Sequence, residues 1–214
     1  LCEELRGVST GQLTVGTFSS AAIAWMPELT RRFAALHPGI SLEIYNDTYS
    51  PLEEALLRDQ VDCAFVTAPS REEFILYPLY KDRLMAVMDS GCPLSSKARL
   101  TAQDLKDLPY IVPAEGTNYD AGKLFLSAGV TPTVRCNAGD DYAAAAMARK
   151  GLGFTILPEL LLQDILLGGL RTIPLAGSER RICMAVNRYR YRSPALQSFV
   201  SFVQETVPKL MSHQ

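Results

Sequence analysis

Residues 12–48 read QLTVGTFSSAAIAWMPELTRRFAALHPGISLEIYNDT, and this stretch decides the fold as strand, helix, strand. Leu13-Thr-Val-Gly16 is a short apolar run, followed by a hydroxyl-rich turn, Thr17-Phe-Ser-Ser20. Ile23, Met26, Leu29, Phe33 and Leu36 recur every three or four residues, which predicts one helix with a single apolar face. Leu36-His-Pro-Gly39 stops it, because Pro38 cannot continue a helix and Gly39 tolerates positive φ. Ile40, Leu42 and Ile44 then alternate with Ser41, Glu43 and Tyr45, the pattern of a half-buried strand. Ser19-Ser20 falls at the helix N-terminus, where unpaired amides and the positive end of the helix dipole favour a small polar or anionic ligand. Capping of the helix by either serine is the simpler reading of the residues.

Working outward, 214 residues can bury a full core as one domain or two small ones. A 48% hydrophobic and 21% charged composition is that of an ordinary globular protein. The net charge of −2 gives no general attraction to nucleic acid or to an anionic membrane. No apolar run reaches membrane-spanning length; Leu160–Leu170 is short and interrupted by Gln163 and Asp164. Cys2, Cys63, Cys92, Cys136 and Cys183 are odd in number and form no CxxC pair, so they read as free thiols in a reducing cytoplasm. The chain opens on Leu1 with no basic-then-apolar segment, which reads as a fragment of a longer protein without a signal peptide.

Farther along, Ser50-Pro-Leu-Glu53 has the pattern of a capping box opening a helix, and Val61–Thr67 that of a strand. Ala68–Glu73 is polar loop; Phe74–Tyr80 is extended, with Pro78 marking an edge or a break. After the strand Leu84–Met88 and the turn Asp89–Pro93 the pattern restarts. Thr101 opens a short helix, Tyr110–Pro113 is a strand, Ala114–Asp120 a loop, Lys123–Ala128 a helix, and Thr133–Asn137 a strand. Asp140 caps a helix over Asp141–Lys150, and the strand Phe154–Leu157 and the helix Glu159–Leu167 follow. Strands at Leu170–Leu175 and Arg181–Asn187 lead to a terminal helix from Ser193-Pro194 to about Lys209. Alternating strands and helices predict an α/β fold with mostly parallel sheets, and the restarts near Asp89 and Asn187 predict two lobes. Ligands of such sheets bind at the C-terminal ends of strands, here Thr17–Ser20, Asn46–Thr48, Thr67–Ala68, Glu115–Asn118 and Asp140–Tyr142.

Candidate chemistry is sparse. His37 precedes a proline in a turn and His213 lies in the tail, so neither is placed for acid–base work, and no catalytic residue, metal site or cofactor is assigned. Gly151-Leu-Gly153 ends a helix instead of opening one, the reverse of a dinucleotide fingerprint. Cys92 has no base near it in sequence and reads as a loop residue. Arg188-Tyr-Arg-Tyr-Arg192 interleaves cations with aromatics as a nucleic-acid grip does, although a solvated extended segment accounts for it more simply. Asp140 and Asp141 suit a helix cap better than a catalytic carboxylate pair.

A set of pieces then falls in the order and spacing of a known family. Gly11–Gly16, Met26-Pro-Glu-Leu with Phe33 and His37-Pro38, Val61-Asp-Cys-Ala-Phe65 and Leu84–Val87 with Pro93-Leu94 are the first four. Asp104-Leu with Leu108-Pro109, Gly151-Leu-Gly-Phe-Thr-Ile-Leu-Pro158, and Ser193-Pro-Ala with Phe199 complete it. Over residues 11–205 the chain resembles the effector-binding domain of LysR-type transcriptional regulators, without the N-terminal winged helix-turn-helix. The resemblance implies two Rossmann-like lobes joined by two crossing strands, similar to type 2 periplasmic binding proteins. The first lobe would be residues 12–86 plus 188–212, the second 87–187, and residues 1–11 the end of a linker.

The same resemblance implies a small polar metabolite bound between the lobes by Phe18, Ser19, Ser20, Thr48, Thr67, Ala68, Glu115, Gly116, Thr117, Asn118 and Asp141. It further implies a cytoplasmic homodimer with the helix Ser20–Leu36 against a second-lobe helix such as Asp141–Lys150. The full-length protein would be a tetramer that touches DNA only through the missing domain and touches no membrane. Many members place an Arg near the end of the third strand for an effector carboxylate, where this chain has Thr67-Ala-Pro. The ligand's charge is therefore left open. The rival readings are an extracytoplasmic solute-binding protein of a transporter, which shares the two-lobed plan, and an enzyme on the same scaffold.

Overall fold

The structure, a computed structural model, describes residues 10–163, 165 and 168–212. Residues 1–9 of the linker expected over residues 1–11, Cys2 and His213 lie outside the described residues, as do Asp164, Leu166 and Leu167 of the helix expected over Glu159–Leu167. The chain divides into two compact units, one reaching to Lys81 and resuming at Arg180, the other Asp82–Glu179. It passes from one to the other inside two long strands, β4 (Phe74–Asp89) and β8 (Leu170–Asn187). Each of these merges two shorter strands that the sequence predicts separately. Pro78 does not break β4; it sits at an exposed position of the strand, where its missing N–H costs little.

In the first unit the strand order is β2-β1-β3-β8. β1 (Gly11–Thr17) runs parallel to β2 (Ile40–Asn46), with Gly11 opposite Ile40 and Thr17 opposite Asn46. On its other side β1 runs parallel to β3 (Cys63–Ala68), which in turn is antiparallel to β8, Ala64 facing Ala185 and Ala68 facing Arg181. Gly16 permits the close approach of β1 and β3: a Cβ there would stand 2.9 Å from that of Ala64. Ile40 is buried but Ile44 is 50% exposed, so the predicted half-burial of β2 fades along its length. β2 is the edge strand of the described sheet.

The single helix expected over Ser20–Leu36 is two helices, α1 (Ser19–Ala24) and α2 (Met26–Leu36), broken at Trp25. Pro27 is the cause, since it has no N–H for the carbonyl of Ile23; it suits the first turn of a new helix instead. The break is stabilised by packing. Trp25 is fully buried, its ring 5.5 Å from that of Phe65 and 6.1 Å from that of Tyr80, and its Nε1 donates to Met211 Sδ at 3.2 Å. Phe33 meets Phe199 of the terminal helix α8 edge-on at 5.0 Å; α8 itself follows over Pro194–Ser212. Large side chains buried this completely contribute about 1.5–3 kcal/mol each.

A second correction concerns α3 (Tyr49–Leu57). Its N-cap is Thr48, without a side-chain capping bond, so Ser50 and Glu53 form no capping box. Starting the helix at Tyr49 puts Ser50 inside it, and Glu53 is drawn away to Ser70 Oγ at 2.6 Å and Arg71 Nε at 3.2 Å.

The second unit has the order β4-β7-β5-β6. β5 (Pro109–Val112) is parallel to both β6 (Thr133–Asn137) and β7 (Phe154–Pro158), and β7 is antiparallel to β4, Leu84 facing Pro158. Leu84, Leu105, Tyr110, Phe125, Phe154, Ile156 and Ile173 form its core. β7 can enter beside β5 because Gly153 has no Cβ: its φ is +151°, and a Cβ would overlap the carbonyl oxygen of Pro109. Thr101 caps α4 (Ala102–Leu105) in a reciprocal capping box with Asp104, and Asp140 caps α6 (Asp141–Arg149) through Ala143, both as the sequence predicts. The loop expected at Ala114–Asp120 is instead the first turns of a helix, α5 (Glu115–Ser127). Its cap group comes from Asp141, which is remote in sequence, so local reading misses the helix start. α7 spans only Glu159–Leu162.

Candidate functional site

In the first unit the candidate residues gather where β1 ends. Thr17 and Phe18 are buried, Ser19 is exposed, and Ser20 is buried at 4% exposure. Ser19 and Ser20 do not cap α1, because Phe18 is the N-cap and both serines lie inside the helix. The Ser20 hydroxyl instead accepts a hydrogen bond from Nη2 of Arg180 at 2.8 Å. Arg180 also donates from Nη1 to the Tyr49 hydroxyl at 2.7 Å, and its guanidinium lies 5.4 Å from the Phe18 ring centre. Phe18 and Tyr49 meet edge-on at 5.1 Å. One buried cation thus ties the end of β1, the start of α3 and β8 together, between two rings and two hydroxyls. Guanidinium N–H groups are fixed in a planar fork, which suits recognition of carboxylate or phosphate.

Thr48 is half-buried beside Tyr49, and its N–H is held by the Asp47 carboxylate at 2.7 Å. Thr67 and Ala68 are half-buried on β3, paired with Ile182 and Arg181 of β8. Arg180 stands on the adjacent strand, one residue from Arg181, the partner of Ala68. Arg180 and Tyr49 escape the reading of strand ends. A signal for Arg180 does exist in its own strand: Ser178, Arg180 and Ile182 alternate with exposed Glu179 and Arg181, so a charged side chain occupies the inward face.

The remaining candidates lie in the second unit around a buried carboxylate. Asp141 accepts from the Ala114 N–H at 3.1 Å and from the Thr117 hydroxyl at 3.0 Å, tying the first turn of α5 to that of α6. Tyr110 donates to Asn118 Oδ1 at 3.1 Å. Burial first, and then the negative charge of Asp141, push the Tyr110 phenol far above its ordinary range, so it stays a proton donor. Glu115 is exposed, and Gly116 half-buried.

Burial raises the thiols of Cys63 and Cys183 above their ordinary range, away from the nucleophilic thiolate. Arg188 binds the Phe74 carbonyl, Arg190 pairs with Asp59 and Asp62, and Arg192 donates to the Tyr77 hydroxyl at 2.8 Å. Among the described residues no three His, Cys, Asp or Glu side chains gather as a metal set. No described helix is long and apolar enough to cross a membrane.

Comparison with known proteins places this architecture. YvbU of Bacillus subtilis, described as an uncharacterized HTH-type transcriptional regulator, is 29% identical over 155 residues, covering 72% of this chain and 53% of its own. LrrA of Synechococcus elongatus, a probable HTH-type transcriptional regulator, is 26% identical over 211 residues, covering 96% of this chain and 70% of its own. The chain spans about half the length of several curated relatives it matches. The effector-binding domain of QuiR in complex with shikimate superposes with a TM-score of 0.78 at 22% identity, over 94% of this chain and 99% of that one. The CcmR regulatory domain of Synechocystis in complex with 2-PG does so at 0.83 and 20% identity, over 92% and 98%. At these identities the likeness is one of fold. A family model described as the LysR substrate binding domain matches residues 6–208, nearly the whole chain, and the chain belongs to that family.

Proposed function

We propose that this chain is the effector-binding regulatory domain of a LysR-type transcriptional regulator, and that its effector is a small polar molecule bearing an anionic group beside hydroxyls. The observation that carries this reading is Arg180: a cation 8% exposed, aimed at Ser20 and Tyr49 where β1 ends. Phe18, Ser19, Ser20, Thr48, Thr67 and Ala68 belong to the same end of the first unit's strands and complete the proposed contact set. In the second unit, Glu115, Gly116, Thr117 and Asn118 are proposed as that unit's own effector contacts, with Asp141 holding the turn that presents them. Binding shifts the populations of two oligomer geometries, and with them the spacing of the DNA-binding domains of the whole regulator.

The molecule works as a cytoplasmic homodimer and, at full length, as a tetramer, with DNA contacted only outside this chain. Exposed Leu36 and Ile44 on the first unit and Val134 and Tyr142 on the second supply apolar surface for such pairing. No transformation of the ligand is proposed, since a hydroxyl pair on a guanidinium offers no base or nucleophile. The relatives cited above are regulators, which favours this reading over a transporter's solute-binding protein.

A metabolite panel that includes shikimate, screened by thermal shift, tests the proposal. The expected result is saturable stabilisation by a hydroxylated acid, weakened roughly tenfold or more in Arg180→Gln. Stabilisation only by cations or purely apolar compounds, or binding untouched by Arg180→Gln, overturns it.

A further inference from the structure

The Arg188–Arg192 segment borders a groove of about 550 Å³ in the first unit, lined by Tyr77, Arg190, Tyr191 and Arg192 and by one face of α8. Gln197, Val200, Ser201 and Gln204 recur there at helical spacing, so one stripe of α8 forms a wall. The two arginines differ in kind. Arg190 has its charge matched by Asp59 and Asp62, at 3.5 and 3.4 Å. Arg192 has no carboxylate partner among the described residues; the Tyr77 hydroxyl fixes its Nη1 at 2.8 Å, and Gln197 Nε2 holds its carbonyl at 2.9 Å. A half-buried guanidinium held by a neutral hydroxyl on one edge keeps further N–H groups for a carboxylate. Tyr191, 80% exposed, adds an aromatic ring to the rim. Its ring offers a stacking face, which a solvated segment does not need.

From this arrangement we infer that the groove is a second small-molecule site, separate from Arg180, which takes a flat organic carboxylate. Arg192 receives the carboxylate, the tyrosines and Val200 receive the ring, and Gln197 and Gln204 meet a polar substituent at the far edge. The volume lies within the range of small-ligand pockets, and the overall acidity of the chain disfavours the alternative occupant, single-stranded nucleic acid.

The test is calorimetric titration of the chain with 4-hydroxybenzoate, with 4-hydroxybenzamide as the analogue lacking the charge and cyclohexanecarboxylate as the one lacking the flat aromatic ring. Binding of 4-hydroxybenzoate is expected to exceed either analogue. Measured in an Arg180→Gln background, which removes the proposed effector contact, binding should persist; there Arg192→Gln should weaken it roughly tenfold or more, and Ser201→Trp should block it by filling the groove from α8. Ser201 is exposed, so its replacement keeps the fold while removing the space. The inference is overturned if no binding occurs at millimolar concentration, if both groove variants bind as the parent does, or if Arg180→Gln abolishes binding. It is equally overturned if Arg192 responds only to a single-stranded oligonucleotide.

Discussion

The two units solve opposite electrostatic problems with the same means. In the first, a buried cation, Arg180, is surrounded by oxygen acceptors on Ser20 and Tyr49 and by the face of Phe18. In the second, a buried anion, Asp141, collects an amide N–H and a hydroxyl from the first turn of α5. The difference lies in what each charge holds. Asp141 holds backbone, and so fixes where a helix begins. Arg180 holds side chains that can exchange partners without unravelling an element. A charge that organises backbone is structural first, whereas one that gathers hydroxyls can serve a ligand.

The sharpest way to break the contrast is at the glycines beneath each region. Gly153→Ala should cost about 3 kcal/mol or more, because the added methyl meets the Pro109 carbonyl and the backbone is left-handed there. Gly16→Ala should cost less, since its added methyl meets the Ala64 Cβ at 2.9 Å and the Leu52 side chain at 3.2 Å, a milder overlap that a small displacement of β3 and of Leu52 relieves. Urea unfolding of the two variants checks the order, and equal losses would erase the distinction. Next in size, Asp141→Ala should destabilise by roughly 2–4 kcal/mol by stranding buried donors. Asp141→Asn keeps an acceptor and should cost less, as thermal melts would show.

The smallest effect is one of pH. Asp104 is lowered from its ordinary 3.8 to about 2, first by the Lys97 ammonium and then by the amide and hydroxyl of Thr101. A depressed carboxyl stabilises the folded state above its unfolded pKa, and that contribution is lost as pH falls from about 4 towards 2. Asp104→Asn should therefore flatten the pH dependence of stability in that window. An unchanged slope would mean that the ion pair contributes nothing.

What the sequence discloses follows the range of the forces involved. Thr101 and Asp140 are legible as caps because both partners lie within three residues. The start of α5 is not, because its cap group on Asp141 is 27 residues from Ala114. The break at Trp25 hides behind an intact apolar period: Met26, Leu29 and Phe33 keep their spacing, and only Pro27 betrays the interruption. The strand-end positions Phe18 and Ser20 follow from the α/β pattern itself. Arg180 requires the pairing of β3 with β8, a contact between segments more than a hundred residues apart.

Trp25 is the only tryptophan in the chain, and it stands at the far end of the six-residue helix that carries Ser20. The protein therefore contains its own optical label, buried against Phe65 and Tyr80, with a sulfur receiving the indole proton. Any rearrangement of α1 alters that surrounding, so the ultraviolet emission of the unmodified chain is a direct gauge of events at Ser20.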